Sequence, residues 1–534
     1  MNTINNQLSF IRKCPDYDLF VIDLFCGAGG VTTGVESANT GGRKYAKVIA
    51  CVNHDPKAIE SHAANHKDVL HFTEDIRTLE LSGMKELVDA VRKNHPRSRV
   101  WLHASIECTN FSRAKGGMSR DADSRTLAEH LYRYIDILSP DIITIENVEE
   151  FLTWGPLIEK VRPDGTRVMV KSGDRMKVAM LPDPEHKGEY YRQWTEKVCS
   201  FSYHYDYRIL NSADYGAYTS RRRYFGFFAR KPEDIVFPRP THAKDPCANI
   251  FEQDLRKWLP VKDVLDFTDE GSSIFDRNKP LVEATLKRIK SGLFKFVGDK
   301  SRHFLSKAYG GNPDEKNIPV SQPAGSVTTK DHHQFVSAYY KRGAMYPTEE
   351  PAPSYALRDR MSMVFIDNQY GNGKPSSING PTGTIMINPK QTLIEARRFI
   401  INPYSFKSDG ATIEAPSPVV IARQDKCPLG LATAKPEGKL PSFITQNEDG
   451  SLVYNIYPED SETMRDIKVF MCENGIVDVT MRMLRIGELK KIQGFPDDYI
   501  LVGTQQEQKK FLGNAVVTVM ARALCEAIVQ KPEQ

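Results

Sequence analysis

Between residues 18 and 230, short apolar runs alternate with stretches of helical period, the pattern of βαβ units closing a mainly parallel sheet. The apolar runs predict strands at Leu19–Phe25, Val48–Val52, Val100–Ala104, Ile142–Ile145, Tyr207–Leu210 and Tyr224–Ala229. Over 124–138, Leu127, Leu131, Tyr134, Ile135 and Leu138 fall on one face, which predicts a helix capped by Asp123 or Ser124. The polar, Gly- and Pro-bearing segment 155–190 reads as an insertion or a long mobile loop.

From 231 to 480 the helical period fades and proline and glycine become frequent. A weak repeat runs through Pro323–Thr329, Pro351–Leu357 and Pro381–Ile387, with a fainter copy at Ala415–Ile421. Each copy is a turn, a β-prone stretch and a polar tip, so the region is expected to be β-rich, with its loops emerging on one side. The tips Lys330–His333, Arg358–Arg360, Lys390 and Arg423–Lys426 suit a polyanion. After 480 the α/β character returns, with a closing helix expected from about Asn514 to Val529 and Val517, Met520, Leu524 and Ile528 on its apolar stripe. The divisions are thus 1–230, 231–480 and a C-terminal segment 481–534 returning to the first.

Composition narrows the class. A chain of 534 residues exceeds the usual size of one core, and 40% hydrophobic with 26% charged residues is globular rather than disordered. No apolar run reads as a membrane span, and the start lacks a secretory pattern. The nine cysteines form no C-x-x-C pair, so neither a zinc site nor a disulfide framework is signalled and a reducing cytoplasm is expected. A net charge of +4 allows a nucleic-acid partner without requiring one, although Arg221-Arg222-Arg223, Arg397-Arg398 and Lys509-Lys510 are locally basic.

Three elements carry chemistry. Phe25-Cys26-Gly27-Ala28-Gly29-Gly30 follows the first strand and precedes a helix, as a turn approaching a nucleotide-like cofactor would. Its spacing is neither that of NAD sites nor a P-loop. Asp75 either accepts from an adenine amino group or caps a helix. Cys108 follows the strand Val100–Ala104, and Glu146-Asn147-Val148 follows the next. A thiol and a carboxylate beside a cofactor turn suggest covalent chemistry on an electron-poor ring. Cys26, Cys51 and Cys525 read as small buried hydrophobes. His62 and His66, with no third ligand in sequence reach, read as a solvated helix face rather than a metal site.

In these residues the chain resembles the DNA cytosine-5 methyltransferases. Asp23–Gly30 is similar to that family's S-adenosylmethionine motif, Cys108-Thr109-Asn110-Phe111-Ser112 to its nucleophile loop, and Glu146-Asn147-Val148 to its Glu-Asn-Val motif. Arg221-Arg222-Arg223-Tyr224-Phe225 resembles its Arg-x-Arg motif. Arg485–Asp497 and Gly513-Asn514-Ala515-Val516-Val517 resemble its last two. The resemblance implies an α/β, Rossmann-like S-adenosylmethionine-dependent methyltransferase domain with a second, β-rich target-recognition domain at 231–480. It implies Cys108 as nucleophile on C6 of a flipped cytosine, Glu146 on N3 and the exocyclic amine, Arg223 on O2, and Arg221 supporting the loop or a phosphate. For the cofactor it implies Phe25, Gly27, Gly29, Gly30, Asp75, Asn514 and Val516, with ribose contacts at Asn53 and His54. The implied partner is double-stranded DNA and the implied state a monomer, either orphan or paired with a cognate restriction endonuclease. A catalytically silent DNA-binding relative, or one acting on tRNA or transferring another group, are the alternatives.

The chain departs from that pattern at three places. Glu107 and Thr109 stand where the family usually has Pro and Gln around the nucleophile, and Thr219 replaces a Gln before the arginines. A carboxylate beside a thiol raises its pKa, so Glu107 is expected to turn from the sulfur toward an Arg or backbone donors. At the end of the second strand the run Asn53-His54-Asp55 takes the place of the family's ribose-binding acid.

Overall fold

The computed structural model describes residues 3–106, 127–172, 175–244, 440–447, 452–474, 476–483 and 485–530, with short stretches between 246 and 435. Cys108, Glu107 and Thr109, the caps Asp123 and Ser124, and the tips at 330–332, 358–360, 390 and 423–426 lie outside the described residues. Two compact units form: residues 1–217, 221–256 and 493–534 make the first, and 218–220 with 257–492 the second.

The first unit is built on a seven-stranded sheet. Its strands are β1 (Leu19–Leu24), β2 (Ala46–Val52), β3 (Leu70–Phe72), β4 (Arg99–Ser105), β5 (Ile142–Asn147), β6 (His204–Asn211) and β7 (Arg222–Ala229). The order is β6-β7-β5-β4-β1-β2-β3. β1 to β5 are parallel, and β7 runs antiparallel to both β5 and β6. All six residues of β1 are buried, as expected of a strand covered on both faces.

Phe20, Ile22 and Leu24 face one core, together with α1 (Ile4–Lys13), α4 (Ser82–Asn94), α5 (Leu131–Leu138) and α6 (Glu189–Cys199). Leu19 and Val21 face the other, with α2 (Gly30–Ser37), α3 (Pro56–Asn65) and α8 (Thr518–Val529). The result is a Rossmann-like α/β sandwich.

Three expectations change. The closing helix does not begin at Asn514: Asn514 ends α7 (Gln505–Asn514), and the chain is extended at Ala515 and Val517 before α8 starts. An 18-residue window within Gln505–Val529 also reaches a mean hydropathy of 1.6, which would suit a membrane span and which the sequence reading did not single out. Its apolar stripe is instead core, with Met520, Leu524 and Ile528 all buried against the sheet. The segment 155–190 is not a bare loop, because Leu157–Glu159 pairs with Met180–Pro182 and Met169–Ser172 with Arg175–Val178. The predicted helix over 124–138 is a turn at 127–130 and then α5.

The second unit is β-rich, and its largest sheet includes Val364–Asn368, Gln391–Glu395, Gly430–Lys435 and Asp478–Met483. Its described residues also form the helices Glu462–Glu473, capped by the Ser461 side chain on the Met464 amide, and Ile486–Ile492. Within the first, Lys468 is buried and donates to Asp460 Oδ2 at 2.6 Å, its ammonium 4.4 Å from the Tyr457 ring centroid.

Candidate active site

The parallel register sets the site. Leu24 lies beside Val52 and Ala104, Val52 beside Phe72, and Ser105 beside Glu146. The segments after β1, β2, β3, β4 and β5 therefore leave along one edge, where ligands of open α/β sheets bind. In sequence, Cys108 stands three residues after Ser105, the last residue of β4.

The turn after β1 is fixed by backbone and packing. Phe25, Gly27 and Gly29 have φ of 58°, 53° and 101°. The Gly29 amide donates to Cys26 O at 3.0 Å, and the Cys26 amide to Val52 O at 3.1 Å. A Cβ on Gly29 would stand 2.4 Å from the Tyr499 hydroxyl, and one on Gly30 2.4 Å from Val516 O. A Cβ on Gly27 would meet nothing within 4 Å, so this residue borders open space. A tight turn with one open side fits a bound nucleoside cofactor.

Behind the turn lies a buried polar network that sequence reading missed. Asp23 is fully buried and accepts from Thr32 Oγ1 at 2.9 Å, and burial pushes its carboxyl up to about 7. Thr32 also meets His62 Nε2 at 3.0 Å, and His62 Nδ1 meets His71 Nε2 at 2.9 Å. His62 is thus buried in this network, not on a solvated face, and burial holds it well below the usual histidine range. Cys26, Cys51 and His62 have their ligand atoms within 4.8 Å of one another. Both His62 nitrogens already have partners, however, and burial raises both thiols, so the cluster reads as hydrogen-bonded core.

His66 joins Thr33 Oγ1 at 3.0 Å, Tyr499 Oη at 3.3 Å and the Glu36 carboxylate at 3.4 Å. Glu36 is held down to about 2, since the His66 and Lys47 side chains outweigh the opposing effect of its burial. Tyr499 Oη donates to Ala28 O at 2.5 Å, which ties the C-terminal segment to the turn. The His62/His66 spacing was the sequence signal for this network. Tyr499 had none.

The other expected cofactor residues divide. Asn53 Oδ1 accepts from the Asp55 amide at 2.9 Å, His54 is exposed, and Asp55 caps α3 and pairs with Lys510 at 2.9 Å. Asp75 closes a turn through the Arg77 amide and holds the Arg77 guanidinium at 2.6 Å, which draws its pKa down to about 2. Asn514 is exposed, whereas Val516 is buried with its carbonyl against Gly30.

At the far side of the edge, β7 runs back against β5 with Tyr224 opposite Asn147 and Phe225 opposite Glu146. That reversal brings the arginines to the carboxylate. Arg223 Nε lies 3.2 Å from Glu146 Oε1, and both side chains are largely buried. The pair is close in distance but not aligned as a hydrogen bond, and among the described residues Oε1 has no hydrogen-bond donor. Arg222 reaches outward to Glu149 at 2.8 Å. Arg221 is buried and donates to Gly513 O at 3.0 Å, a backbone partner rather than an exposed phosphate position. Asn147 donates to Ile106 O at 3.3 Å and accepts from the Val148 amide at 2.8 Å, coupling the end of β5 to the residue that opens the Cys108 segment.

With this geometry in place, the likenesses to known proteins agree. The profile of the C-5 cytosine-specific DNA methylases matches residues 19–155 and 398–530, half of the chain. The chain is 24% identical over 250 residues to the type II methyltransferase M.AquIA of Picosynechococcus sp., covering 46% of this chain and 87% of that protein. It is 25% identical over 272 residues to M.AgeI of Thalassovita gelatinovora, covering 49% of this chain and about half of that protein, 53%. Over 151 residues it is 31% identical to the DNA-cytosine methyltransferase of Escherichia coli K12, covering 25% of this chain and 31% of that one. The chain belongs to the C-5 cytosine-specific DNA methylase family.

Proposed function

We propose that the chain transfers a methyl group from S-adenosylmethionine to C5 of a cytosine flipped out of a specific duplex DNA site. The observation that carries this reading is the Glu146 corner: a buried carboxylate oxygen without a hydrogen bond among the described residues, beside Arg223, on the edge where β4 ends three residues before Cys108 in sequence. Such an acceptor suits a ligand that brings its own donors, as the exocyclic amine of a cytosine would, joined by N3–H once N3 takes a proton. Bound S-adenosylmethionine supplies an electrophilic sulfonium methyl. The turn 25–30 would hold it, with Asn53, His54, Asp75, Asn514 and Val516 around it.

Cytosine C5 is a poor nucleophile. The Cys108 thiolate adds to C6, forming a C–S bond and placing the electron pair at C5, while Glu146 steadies the charge developing through N3. C5 takes the methyl as the sulfonium leaves as the neutral thioether S-adenosylhomocysteine. Water then takes the C5 proton, the C–H pair restores the C5–C6 double bond, and the C–S bond breaks to expel Cys108 as thiolate. The target base must leave the helix to reach these groups. Arg223 holds the base O2 across from Glu146. Arg221, anchored on Gly513 O, supports the Arg223 segment from behind. Residues 231–480 read the target site.

The test uses duplex DNA containing 5-fluorocytosine, which blocks the final proton loss. With S-adenosylmethionine the natural chain is expected to form a complex that survives denaturation, and Cys108→Ala to form none. Bisulfite sequencing of DNA from expressing cells then reports the site. Failure of the natural chain to methylate any duplex, with methylation of tRNA instead, would overturn the reading.

A further inference from the structure

The insertion between β5 and α6 is a two-tiered antiparallel ribbon. Leu157–Glu159 pairs with Met180–Pro182, Val161 bridges Arg167, and Met169–Ser172 pairs with Arg175–Val178. Its root is anchored. Trp154 is buried and its ring stacks 5.7 Å from Phe151, and the Asp183 amide donates to Pro156 O at 2.9 Å. A Cβ on Gly155 would stand 2.3 Å from His186 O, so the chain passes there without room for a side chain.

Above the root the ribbon has almost no core. Ile158, Val161, Met169, Met176 and Leu181 are 43%, 57%, 46%, 58% and 40% exposed. Ile158 and Leu181 are cross-strand neighbours, so their exposed side chains adjoin. A two-stranded ribbon alone in water is marginally stable, and exposed adjoining apolar side chains mark a surface that something covers.

Charge says what kind of partner. Within 157–182 stand Lys160, Arg162, Arg167, Lys171, Arg175 and Lys177 against Glu159, Asp164 and Asp174, a net charge of +3 on a short element. The Arg167–Glu159 pair at 2.7 Å is exposed on both sides and costs little to separate. Position agrees with charge. The ribbon's root is joined to Glu146 through the single short turn Glu149–Thr153, so a duplex presenting a base to Glu146 passes close to it. β-ribbons enter DNA grooves, and apolar side chains can wedge between base steps.

We propose that this ribbon is a DNA-contacting element separate from the 231–480 region. The side chains of Lys160, Arg162 and Arg167 lie on phosphates, and those of Ile158 and Leu181 enter a groove of the duplex flanking the target base. The proposal rests on the reading of the chain as a DNA methyltransferase.

The test uses the full chain and a mixed-sequence 30-base-pair duplex, with binding followed by anisotropy from low to high salt. The substitutions Lys160→Gln, Arg162→Gln and Arg167→Gln together are expected to lower the salt slope of log K by about 2 to 3, since each phosphate contact contributes about 0.9. Ile158→Ser with Leu181→Ser is expected to weaken binding about tenfold without changing the slope, with an unchanged melting temperature showing the fold intact. An unchanged slope and affinity in both variants overturns the proposal. So does self-association of the natural chain that the double serine variant abolishes while DNA binding stays the same. Methyl transfer to bulk DNA separates the two readings. Methylation with an unchanged slope sinks the ribbon alone, and a lowered slope without methylation in the natural chain sinks the methyltransferase reading alone.

Discussion

The turn after β1 and the corner after β5 stand on the same edge of one sheet, and they are built in opposite ways. At the turn, Ala28 O accepts from Tyr499, Thr33 Oγ1 donates to Gly29 O at 2.7 Å, and Gly29 and Gly30 leave no room for a methyl group. At the corner, Glu146 Oε1 is buried and accepts no hydrogen bond from the described residues, although a guanidinium lies beside it. An unsatisfied buried acceptor costs about 1–3 kcal/mol. Such a cost is retained where a ligand relieves it. The turn is thus shaped in advance for a ligand recognised by form, and the corner is left open for one that brings its own donors.

The contrast predicts separate losses, the largest at the corner. Glu146→Gln keeps the volume and removes the anionic acceptor. Methyl transfer to duplex DNA should fall by about 10²–10³, the range for loss of a transition-state electrostatic partner. S-adenosylmethionine affinity, measured by calorimetry, should stay within twofold. A parallel loss of cofactor affinity would mean that corner and turn are one device.

Asp23 gives the next effect, through pH. Its folded-state carboxyl is raised to about 7 by burial, so between about pH 4 and about pH 7 the folded chain holds a proton that the unfolded chain has lost. Stability contributed by this group is therefore greatest at the acidic end of that window and falls as pH rises, on the order of 1 kcal/mol per pH unit. Asp23→Asn should remove that slope. Urea titrations of both chains at several pH values measure the difference, and identical slopes would show that Asp23 is charged beneath the turn throughout.

How much of this contrast could be read from the chain alone follows from burial. The strands were legible because β1, β2, β4 and β5 lie between two helix layers and so appear as continuous apolar runs. The start of the closing helix was not, since α7 ends at Asn514 and only three-dimensional packing shows that Ala515–Val517 crosses over Gly30. The ribbon at 157–182 hid for the opposite reason: Ile158, Val161, Met169, Met176 and Leu181 are all exposed, so burial imposes no clear alternation on the sequence. His62 misled because its partners, Thr32 and His71, come from other elements. Glu146 was legible as a motif residue, but its unsatisfied oxygen is a property of geometry.

Gly29→Ala should have an intermediate effect. At φ 101° a side chain is strained, and its Cβ would meet the Tyr499 hydroxyl at 2.4 Å. Strain of this kind costs about 1–3 kcal/mol, which should appear as a lower melting temperature and about tenfold weaker S-adenosylmethionine binding. Gly27→Ala tests the open side of the same turn: its Cβ meets no protein atom within 4 Å. Binding should therefore suffer there while the melting temperature moves less. Equal melting shifts in the two variants would mean that Tyr499 does not constrain the turn.

Tyr499→Phe carries the smallest effect and the most specific one. It deletes the hydroxyl that donates to Ala28 O, leaving that buried carbonyl without this donor at a cost of about 1–2 kcal/mol. The turn should still form, because its backbone bonds to Cys26 and Val52 do not involve Tyr499. KM for S-adenosylmethionine should rise severalfold with kcat nearly unchanged, as for a residue that positions the cofactor turn and takes no part at Cys108 or Glu146. Removing the hydroxyl also removes the atom that a Cβ on Gly29 would strike. The Gly29→Ala/Tyr499→Phe double variant should therefore lose less stability than the two single losses added, by about 0.5–1 kcal/mol, the coupling expected of residues in contact. Strict additivity would place the strain at Gly29 in the backbone alone, and the Tyr499 clamp would then not be what shapes the turn.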